Sequence, residues 1–159
     1  FFESRETLDG FFQNVAENLK PGGYFITTFM DGASVHARLD GTSKAEGVVR
    51  GSVVWAILKN YADDAFSATR PYGNRIRVYL ENINQLIPEY LVHFEFLVEF
   101  AATKGLQLVD SKTFAETFRE EKMKTQTRSN QRILDEFEAE DPVIREFSEF
   151  NRWVVFQKM

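Results

Sequence analysis

The feature that most constrains the fold is residues 18–29, where Asn-Leu-Lys-Pro-Gly-Gly is followed by the run Tyr-Phe-Ile-Thr-Thr-Phe. Because proline cannot continue a helix, Pro21 predicts that a preceding helix ends at the Leu-Lys pair. Gly22 and Gly23 then allow the backbone to reverse abruptly. The aromatic and β-branched run that follows is typical of a buried strand. The stretch therefore predicts an αβ unit whose helix packs against its own sheet.

Two helices and a loop are predicted around this unit. Ser4 is the expected N-cap of the first helix, whose single apolar stripe reaches Leu19. Asp31 is the expected cap of a short helix that ends at Gly41. The small and polar residues 41–50 then predict a mobile loop.

The middle of the chain predicts a pair of strands followed by a helix. Residues 53–61 are rich in β-branched and aromatic side chains, which favours a strand. Residues 75–80 alternate between apolar and polar side chains, as a half-buried strand does. Pro88 occupies a natural first position of a helix, with Glu89 next to it, and that helix is expected to run to about residue 104.

The last third of the chain predicts a short strand, several helical stretches and a final strand. In chain order the predicted segments are a strand at 106–109, a helix at 114–124 weakened at 125–129, helices at 133–137 and 143–150, and a strand at 152–158.

The composition argues against several classes of protein. A net charge of −5 argues against a globally basic nucleic-acid-binding protein. The chain has no cysteine and only two histidines, His36 and His93, so neither a disulfide framework nor a zinc or iron site is expected. We expect both histidines to be surface residues or hydrogen-bonded core residues. No apolar run approaches the length of a membrane span, which predicts a cytoplasmic or nuclear protein.

The chain begins with Phe1 and not with methionine. Its first four residues, Phe-Phe-Glu-Ser, have the pattern of the tail of a strand or loop. We therefore interpret residues 1–159 as a single partial domain, a fragment of a longer protein.

Four segments carry a resemblance to a known family. Leu-Lys-Pro-Gly-Gly before a strand resembles the segment after motif IV of class I S-adenosylmethionine-dependent methyltransferases. Within that superfamily, residues 14–26 resemble the Asn-Val-x-x-x-Leu-Lys-Pro-Gly-Gly-Tyr-Phe-Ile motif of mRNA cap guanine-N7 methyltransferases, closest to the viral capping enzymes. The other matching segments are Phe-Glu-Ser at 2–4, Pro-Glu-Tyr-Leu-Val at 88–92 and Val-Phe-Gln-Lys at 155–158.

This resemblance implies an α/β fold, the C-terminal part of a class I methyltransferase (Rossmann-like) sheet with a closing antiparallel hairpin. The architecture would be half of a doubly wound sheet with an exposed edge. The methyl donor implied is S-adenosyl-L-methionine. The glycine-rich donor loop and the acidic residue that holds the donor ribose do not occur in these residues, so no cofactor-binding residue is assigned. The fragment alone is expected to be inactive.

The resemblance also implies an acceptor site. Glu89 matches the residue whose carboxylate accepts hydrogen bonds from the cap guanine, and its alternative role is to complement a helix N-terminus. Met30, Val78 and Asn151 align with other residues that approach the guanine. Val78 as a core residue and Asn151 as a strand-start residue remain the alternatives. No catalytic residue is nominated, because guanine N7 is already a nucleophile that needs only alignment.

Three arginines could present positive charge to cap phosphates or RNA, and a solvated strand face is the alternative interpretation. They are Arg70, Arg75 and Arg77.

Three functions remain open from the sequence. The first is methylation of the capped mRNA 5′ end, with this chain as the cap-binding side of a viral enzyme. It would act with the missing N-terminal half and with other capping-enzyme domains or subunits, and a virion location is then possible. The second is a class I methyltransferase that acts on a small molecule. The third is a non-catalytic partner subunit that keeps the methyltransferase fold.

Overall fold

The computed structural model describes residues 2–62, 65–124 and 128–159, and within these residues it contains seven strands and six helices. The strands are β1 (Tyr24–Met30), β2 (Lys44–Val49), β3 (Ser52–Lys59), β4 (Arg75–Leu80), β5 (Gln85–Tyr90), β6 (Leu106–Thr113) and β7 (Asn151–Lys158). The helices are α1 (Arg5–Asn18), α2 (Gly32–Arg38), α3 (Phe94–Thr103), α4 (Phe114–Met123), α5 (Arg128–Ala139) and α6 (Pro142–Glu149).

The strands form two sheets. A three-stranded sheet has the order β1-β7-β6, and a four-stranded sheet has the order β2-β3-β4-β5. Every strand pair in both sheets is antiparallel, and an isolated parallel bridge joins Asp31 to Val92. The antiparallel pairing predicted for the last two strands is confirmed in β6 and β7, but the helices α4, α5 and α6 lie between these strands in place of a hairpin turn.

The prediction that residues 24–29 form a fully buried strand is wrong for the residues described. The side chains of Tyr24 and Ile26 are 56% and 68% exposed. Successive side chains of a strand point to opposite faces, and burial alternates along β1, so one face of this strand packs on the core while the other is open to solvent.

The three-stranded sheet packs against α1 and α3 through an aromatic core. Phe12 of α1 is 1% exposed, and its ring lies 5.9 Å from that of Phe100 and 6.4 Å from that of Phe156. The apolar stripe predicted for α1 is therefore the face that covers the sheet. A second core lies under the four-stranded sheet, where the indole nitrogen of Trp55 donates to the carbonyl oxygen of Val143 at 2.7 Å.

The loop predicted at residues 41–50 contains a strand, and the inserted sheet has four strands where the sequence predicted two. β2 and β3 form a hairpin whose two turn residues, Arg50 and Gly51, have φ angles of 50° and 85°. Positive φ at both turn positions matches the twist of antiparallel strands. Gly47 of β2 fits against Trp55, since a Cβ there would lie 2.2 Å from the indole nitrogen. Gly47, one of the small residues that suggested mobility, thus allows close packing against Trp55.

The prediction of a helix that begins at Pro88 is wrong for residues 88–93. Gln85–Tyr90 is strand β5, and α3 begins only at Phe94, with His93 as its N-cap. Proline is tolerated because β5 pairs only with β4, so one side of its backbone needs no ladder hydrogen bonds. Glu89 consequently lies on a strand, and its predicted alternative role at a helix N-terminus is wrong.

The local helix signals elsewhere are confirmed. Ser4 and Thr7 form a capping box at the start of α1, and Asp31 caps α2 through a hydrogen bond from the Ser34 amide. Helices cover the predicted segments at 114–124, 133–137 and 143–150. The weakening predicted at 125–129 falls largely on residues 125–127, which lie outside the described residues.

No described helix has the length and apolar character needed to cross a membrane. Likewise, the described residues contain no group of three or more histidine, aspartate or glutamate side chains placed to hold a metal ion.

Replacing Thr113 by alanine is expected to lower the free energy of unfolding by about 1 kcal/mol. Thr113 Oγ1 accepts a hydrogen bond from the Glu116 amide at 3.1 Å, and the Glu116 carboxylate accepts one from the Thr113 amide at 2.8 Å. The bond from the Thr113 amide to the carboxylate, together with one that the Thr113 hydroxyl donates at 2.9 Å, holds the pKa of Glu116 below its usual value. Urea unfolding measures the change, and Thr113→Ser is the control, because serine keeps the accepting oxygen. Equal losses in the two variants would contradict the capping role.

Candidate functional site

A cleft of about 520 Å³ lies where the carboxyl end of β1 meets the end of β5. One wall is formed by the last three residues of β1. The other is formed by the last three residues of β5 together with Val92. The start of the chain closes the third side. The lining residues from these three segments are Thr28, Phe29 and Met30; Pro88, Glu89, Tyr90 and Val92; and Phe2, Glu3 and Thr7.

A direct backbone contact joins the two walls. Asp31 and Val92 form the parallel bridge, and the Gly32 amide donates to the carbonyl oxygen of Val92 at 3.0 Å. Glycine is required at this position, because a Cβ at residue 32 would lie 2.3 Å from that oxygen. The contact brings Glu89, three residues before Val92, onto the same cleft as Met30.

The cleft combines an apolar floor with an acidic mouth. Phe2, Phe29 and Val92 are 1%, 9% and 5% exposed, whereas Glu3 and Glu89 are exposed. The hydroxyl of Tyr90 donates to the Glu3 carboxylate at 3.1 Å, which orients that side chain. An apolar floor beside carboxylate acceptors suits a flat heterocycle that carries hydrogen-bond donors on one edge.

The electrostatic environment of the cleft acts on Glu89. Partial removal of its carboxyl group from water raises the pKa of Glu89 above its usual value, although the side chain still reaches solvent at the cleft mouth. A raised pKa makes ionisation of this carboxylate more costly than in water. A ligand that donates hydrogen bonds to the ionised form would recover part of that cost.

Of the four predicted site residues, Met30 and Glu89 line the cleft together. Asn151 pairs with Met30 across β1 and β7, but its side-chain amide donates to the carbonyl oxygens of Phe147 at 3.4 Å and Ser148 at 3.1 Å. The Asn151 amide therefore caps the C-terminal end of α6. Val78 is 5% exposed in the second core, opposite Ile87, and is not among the residues that line the cleft.

Two cleft residues were missed by the sequence reasoning. Glu3 and Tyr90 entered it only as members of the matching motifs, and Tyr90 also as part of the helix predicted up to residue 104.

The predicted basic residues do not gather around the cleft. Arg70 lines a separate cavity of about 670 Å³ with Arg5 and Tyr72. Among the described residues, the Tyr72 hydroxyl is the one buried side-chain nitrogen or oxygen atom that lacks a hydrogen-bond partner. On β4, Arg75 is exposed, and Arg77 donates to the Asn60 side chain at 3.1 Å.

Both histidines have the structural roles expected of them. His36 Nδ1 lies 2.9 Å from the Tyr61 hydroxyl, and its ring stacks on Phe66 at 5.0 Å. His93 caps α3 by accepting from the Phe96 amide at 3.5 Å.

The glycine-rich donor loop that the resemblance implies is not found among the described residues. Gly22 and Gly23 form the glycine pair of the chain, and they precede β1, so they lie at the opposite end of the strand from the cleft. Among the described residues no glycine-rich turn links the carboxyl end of a strand to a helix in the manner of a dinucleotide or donor loop.

Comparison with a solved structure defines the class of fold. The CcbJ methyltransferase from Streptomyces caelestis superimposes with a TM-score of 0.50 at 16% sequence identity, covering all of this chain and 56% of that chain. The chain therefore has an α/β fold of the methyltransferase type.

Sequence comparison is more specific. A profile of the mRNA (guanine-N(7))-methyltransferase domain matches residues 1–149. The mRNA cap guanine-N(7) methyltransferase of Drosophila melanogaster is 34% identical over 119 residues, which is 75% of this chain, and that of Saccharomyces cerevisiae is 32% identical over 124 residues, 76% of this chain. The chain belongs to the mRNA (guanine-N(7))-methyltransferase domain family. It spans about a quarter of the length of these relatives, 27% and 28%. The relatives compared here are eukaryotic, and the viral type stays a prediction.

Proposed function

We propose that this chain is the acceptor side of an S-adenosylmethionine-dependent mRNA cap guanine-N7 methyltransferase. The observation that carries the proposal is the Glu89 carboxylate at the mouth of an apolar cleft, at the carboxyl end of β1. The substrate is the capped 5′ end of mRNA. Residues outside this chain, the N-terminal half of the domain, hold the methyl donor, and further capping-enzyme domains or subunits act with it in the nucleus or cytoplasm.

Glu89 selects guanine through the arrangement of donors on the base. The Watson–Crick edge of guanine presents N1–H and the exocyclic amine side by side, and one ionised carboxylate can accept from both. Adenine presents an acceptor at N1, which would face the carboxylate without a proton between them. Discrimination therefore comes from repulsion of the wrong base as well as attraction of the right one.

Met30 contributes an adaptable apolar surface to the same pocket. A methionine side chain is polarisable and flexible, so it can pack against the flat face or edge of a purine ring. The buried side chains of Phe29 and Val92 form the floor beside it. Asn151 and Val78 would support the pocket from behind, through the partner strand of Met30 and through the strand that pairs with β5.

The reaction requires positioning more than acid or base catalysis. Guanine N7 carries a lone pair, and the methyl group of a sulfonium donor is transferred to it with loss of the neutral thioether. Holding the base so that N7 faces the donor removes much of the entropic barrier. The role of this chain is thus to bind the base, orient it and exclude water from its faces.

The direct test is a methyl-transfer assay on the intact protein that contains this chain. RNA capped with a guanosine cap is expected to accept a methyl group at N7, and the same RNA with an adenosine cap is not. Methylation of small molecules but not of capped RNA would contradict the proposal. Failure of the native full-length protein to bind S-adenosylhomocysteine in a titration would instead favour a non-catalytic partner subunit.

Acidification is expected to weaken binding of a guanine cap analogue with a midpoint above the usual pKa of glutamate. The bound form needs the ionised carboxylate, and burial raises the pKa of Glu89, so binding is complete above that raised pKa and is lost as the pH falls through it. Calorimetry between pH 4 and pH 7, on the order of the range in which carboxyl groups titrate, measures the midpoint. The Glu89→Gln variant should lack this step, and persistence of the step in that variant would contradict the assignment.

A further inference from the structure

An ion pair lies directly behind the floor of the cleft. Arg152 Nε donates to Asp31 Oδ2 at 2.6 Å, and the two side chains are 18% and 3% exposed. Arg152 stands opposite Phe29 in the β1–β7 pair, and Asp31 follows Met30, the last residue of β1. Both charges therefore sit one residue away from side chains that line the cleft.

Neighbouring groups fix both members of the pair. The second oxygen of Asp31 accepts from the amide and the hydroxyl of Ser34, at 2.9 Å and 3.0 Å. The Arg152 guanidinium also donates to the Ser111 hydroxyl at 3.2 Å, and its carbon lies 4.3 Å from the centre of the Phe94 ring. The pair thus ties together β1, α2, β6, β7 and the first residue of α3.

The backbone of Asp31 connects this cluster to the opposite wall. Its amide donates to the carbonyl oxygen of Phe150 at 2.7 Å, and Asp31 forms the parallel bridge with Val92. Val92 follows β5, which carries Glu89. A displacement of Asp31 would therefore move Met30 on one wall and Val92, with Glu89, on the other.

We propose that Asp31 and Arg152 are positioning residues, whose ion pair sets the separation of the Met30 and Glu89 walls and thereby the affinity for the guanine acceptor. This inference rests on the proposed function. The pair does not touch the acceptor. It acts through the backbone bridge between residues 31 and 92, which joins the two walls.

The chemistry of the pair favours positioning over simple stabilisation. Desolvation of two charges offsets most of their attraction, so a buried ion pair often adds little stability compared with apolar side chains of the same size. Its hydrogen bonds, however, have fixed directions. Apolar side chains would fill the same space while leaving the two walls free to shift against each other.

The test compares two neutralised pairs in the intact methyltransferase. The first variant combines Asp31→Asn with Arg152→Met, which removes both charges together and keeps an N-cap for α2. The second combines Glu146→Gln with Arg38→Met, which neutralises the exposed Arg38–Glu146 pair of 2.7 Å. Glu89→Gln is the reference for loss of the acceptor contact. Each protein is titrated with a guanine cap analogue and with S-adenosylhomocysteine, and its thermal unfolding is recorded.

The first variant is expected to fold and to bind the cap analogue about tenfold more weakly, with unchanged affinity for S-adenosylhomocysteine, since residues that act on a ligand without touching it change its affinity by about 2- to 30-fold. The exposed pair is expected to change neither affinity. The single variant Arg152→Lys keeps the positive charge, so it should bind the cap analogue more tightly than the first variant does. Unchanged cap affinity in the first variant, or equal loss of both affinities, would overturn the inference. If Glu89→Gln alone weakens cap binding, the proposed function stands and this inference fails; if the unmodified protein binds no cap, both fail.

Discussion

Replacing Glu89 by alanine in the intact methyltransferase is expected to weaken binding of a guanine cap by about 1.5–3 kcal/mol, or about 10- to 150-fold. The variant removes the carboxylate that we propose accepts two hydrogen bonds from the guanine edge. Because the side chain lies at the mouth of the cleft and makes no hydrogen bond within the described residues that would hold the fold, the loss should appear in cap affinity and not in unfolding. Calorimetric titration with a cap analogue measures it.

The chain provides a matched control for this change. Glu81→Ala removes an exposed carboxylate from the turn between β4 and β5, at the opposite end of β5 from Glu89. Its effect on cap affinity is expected to stay within about 0.5 kcal/mol. An inosine cap, which lacks the exocyclic amine, should bind the unmodified protein more weakly and should lose that disadvantage in Glu89→Ala. An equal penalty for inosine in both proteins would show that the amine meets another residue.

Replacing Asp31 by alanine is expected to lower the free energy of unfolding by about 3–5 kcal/mol. The variant leaves the Arg152 guanidinium, whose side chain is 18% exposed, without its carboxylate partner. It also removes the oxygen that accepts from the Ser34 amide and hydroxyl at the start of α2. Equilibrium unfolding in urea measures the loss.

The exposed ion pair between Arg38 and Glu146 is the comparison for this effect. Its two side chains are 42% and 37% exposed, so Glu146→Ala is expected to cost only about 0–1 kcal/mol. Asp31→Asn should fall between the two variants, because asparagine retains an accepting oxygen for the Ser34 amide. A loss in Asp31→Ala no greater than that in Glu146→Ala would contradict the structural weight given to the buried pair.

The parts of the fold that depend on neighbours in sequence could be predicted. Pro21 and the two glycines end α1 and begin β1, and the capping residues Ser4 and Asp31 act within three positions of themselves. Such signals are local, so they survive whatever the rest of the chain does. The antiparallel pairing of β6 with β7 was predicted as well, through resemblance to a fold whose last strands pair in this way, but the three helices inserted between them were not predicted as an insertion.

The errors arose where distant pairing overrides a local preference. Pro88 and Glu89 have the sequence pattern of a helix start, yet pairing of residues 85–90 with β4 makes them part of a strand. The small residues around Gly47 suggested a loop because nothing nearby in sequence reveals the Trp55 ring that they pack against.

In the candidate site too, some residues were predicted from the sequence, while others depend on contacts between distant parts of the chain. Glu89 and Met30 were predicted from the resemblance, and the structure brings both to one cleft. The Asp31–Arg152 pair joins residues 121 positions apart, and no pattern in the sequence predicts that contact. Glu3 belongs to the cleft for a similar reason, since its partner Tyr90 lies 87 positions away.

The central claim is that the Glu89 carboxylate receives the donor edge of the cap guanine. A crystal structure of the intact protein with a guanine cap analogue tests it most directly. We expect guanine N1 and the exocyclic nitrogen to lie within about 2.7–3.2 Å of the Glu89 oxygens, with the ring beside Met30. A base bound elsewhere, with the Glu89 carboxylate in contact only with solvent, would contradict it.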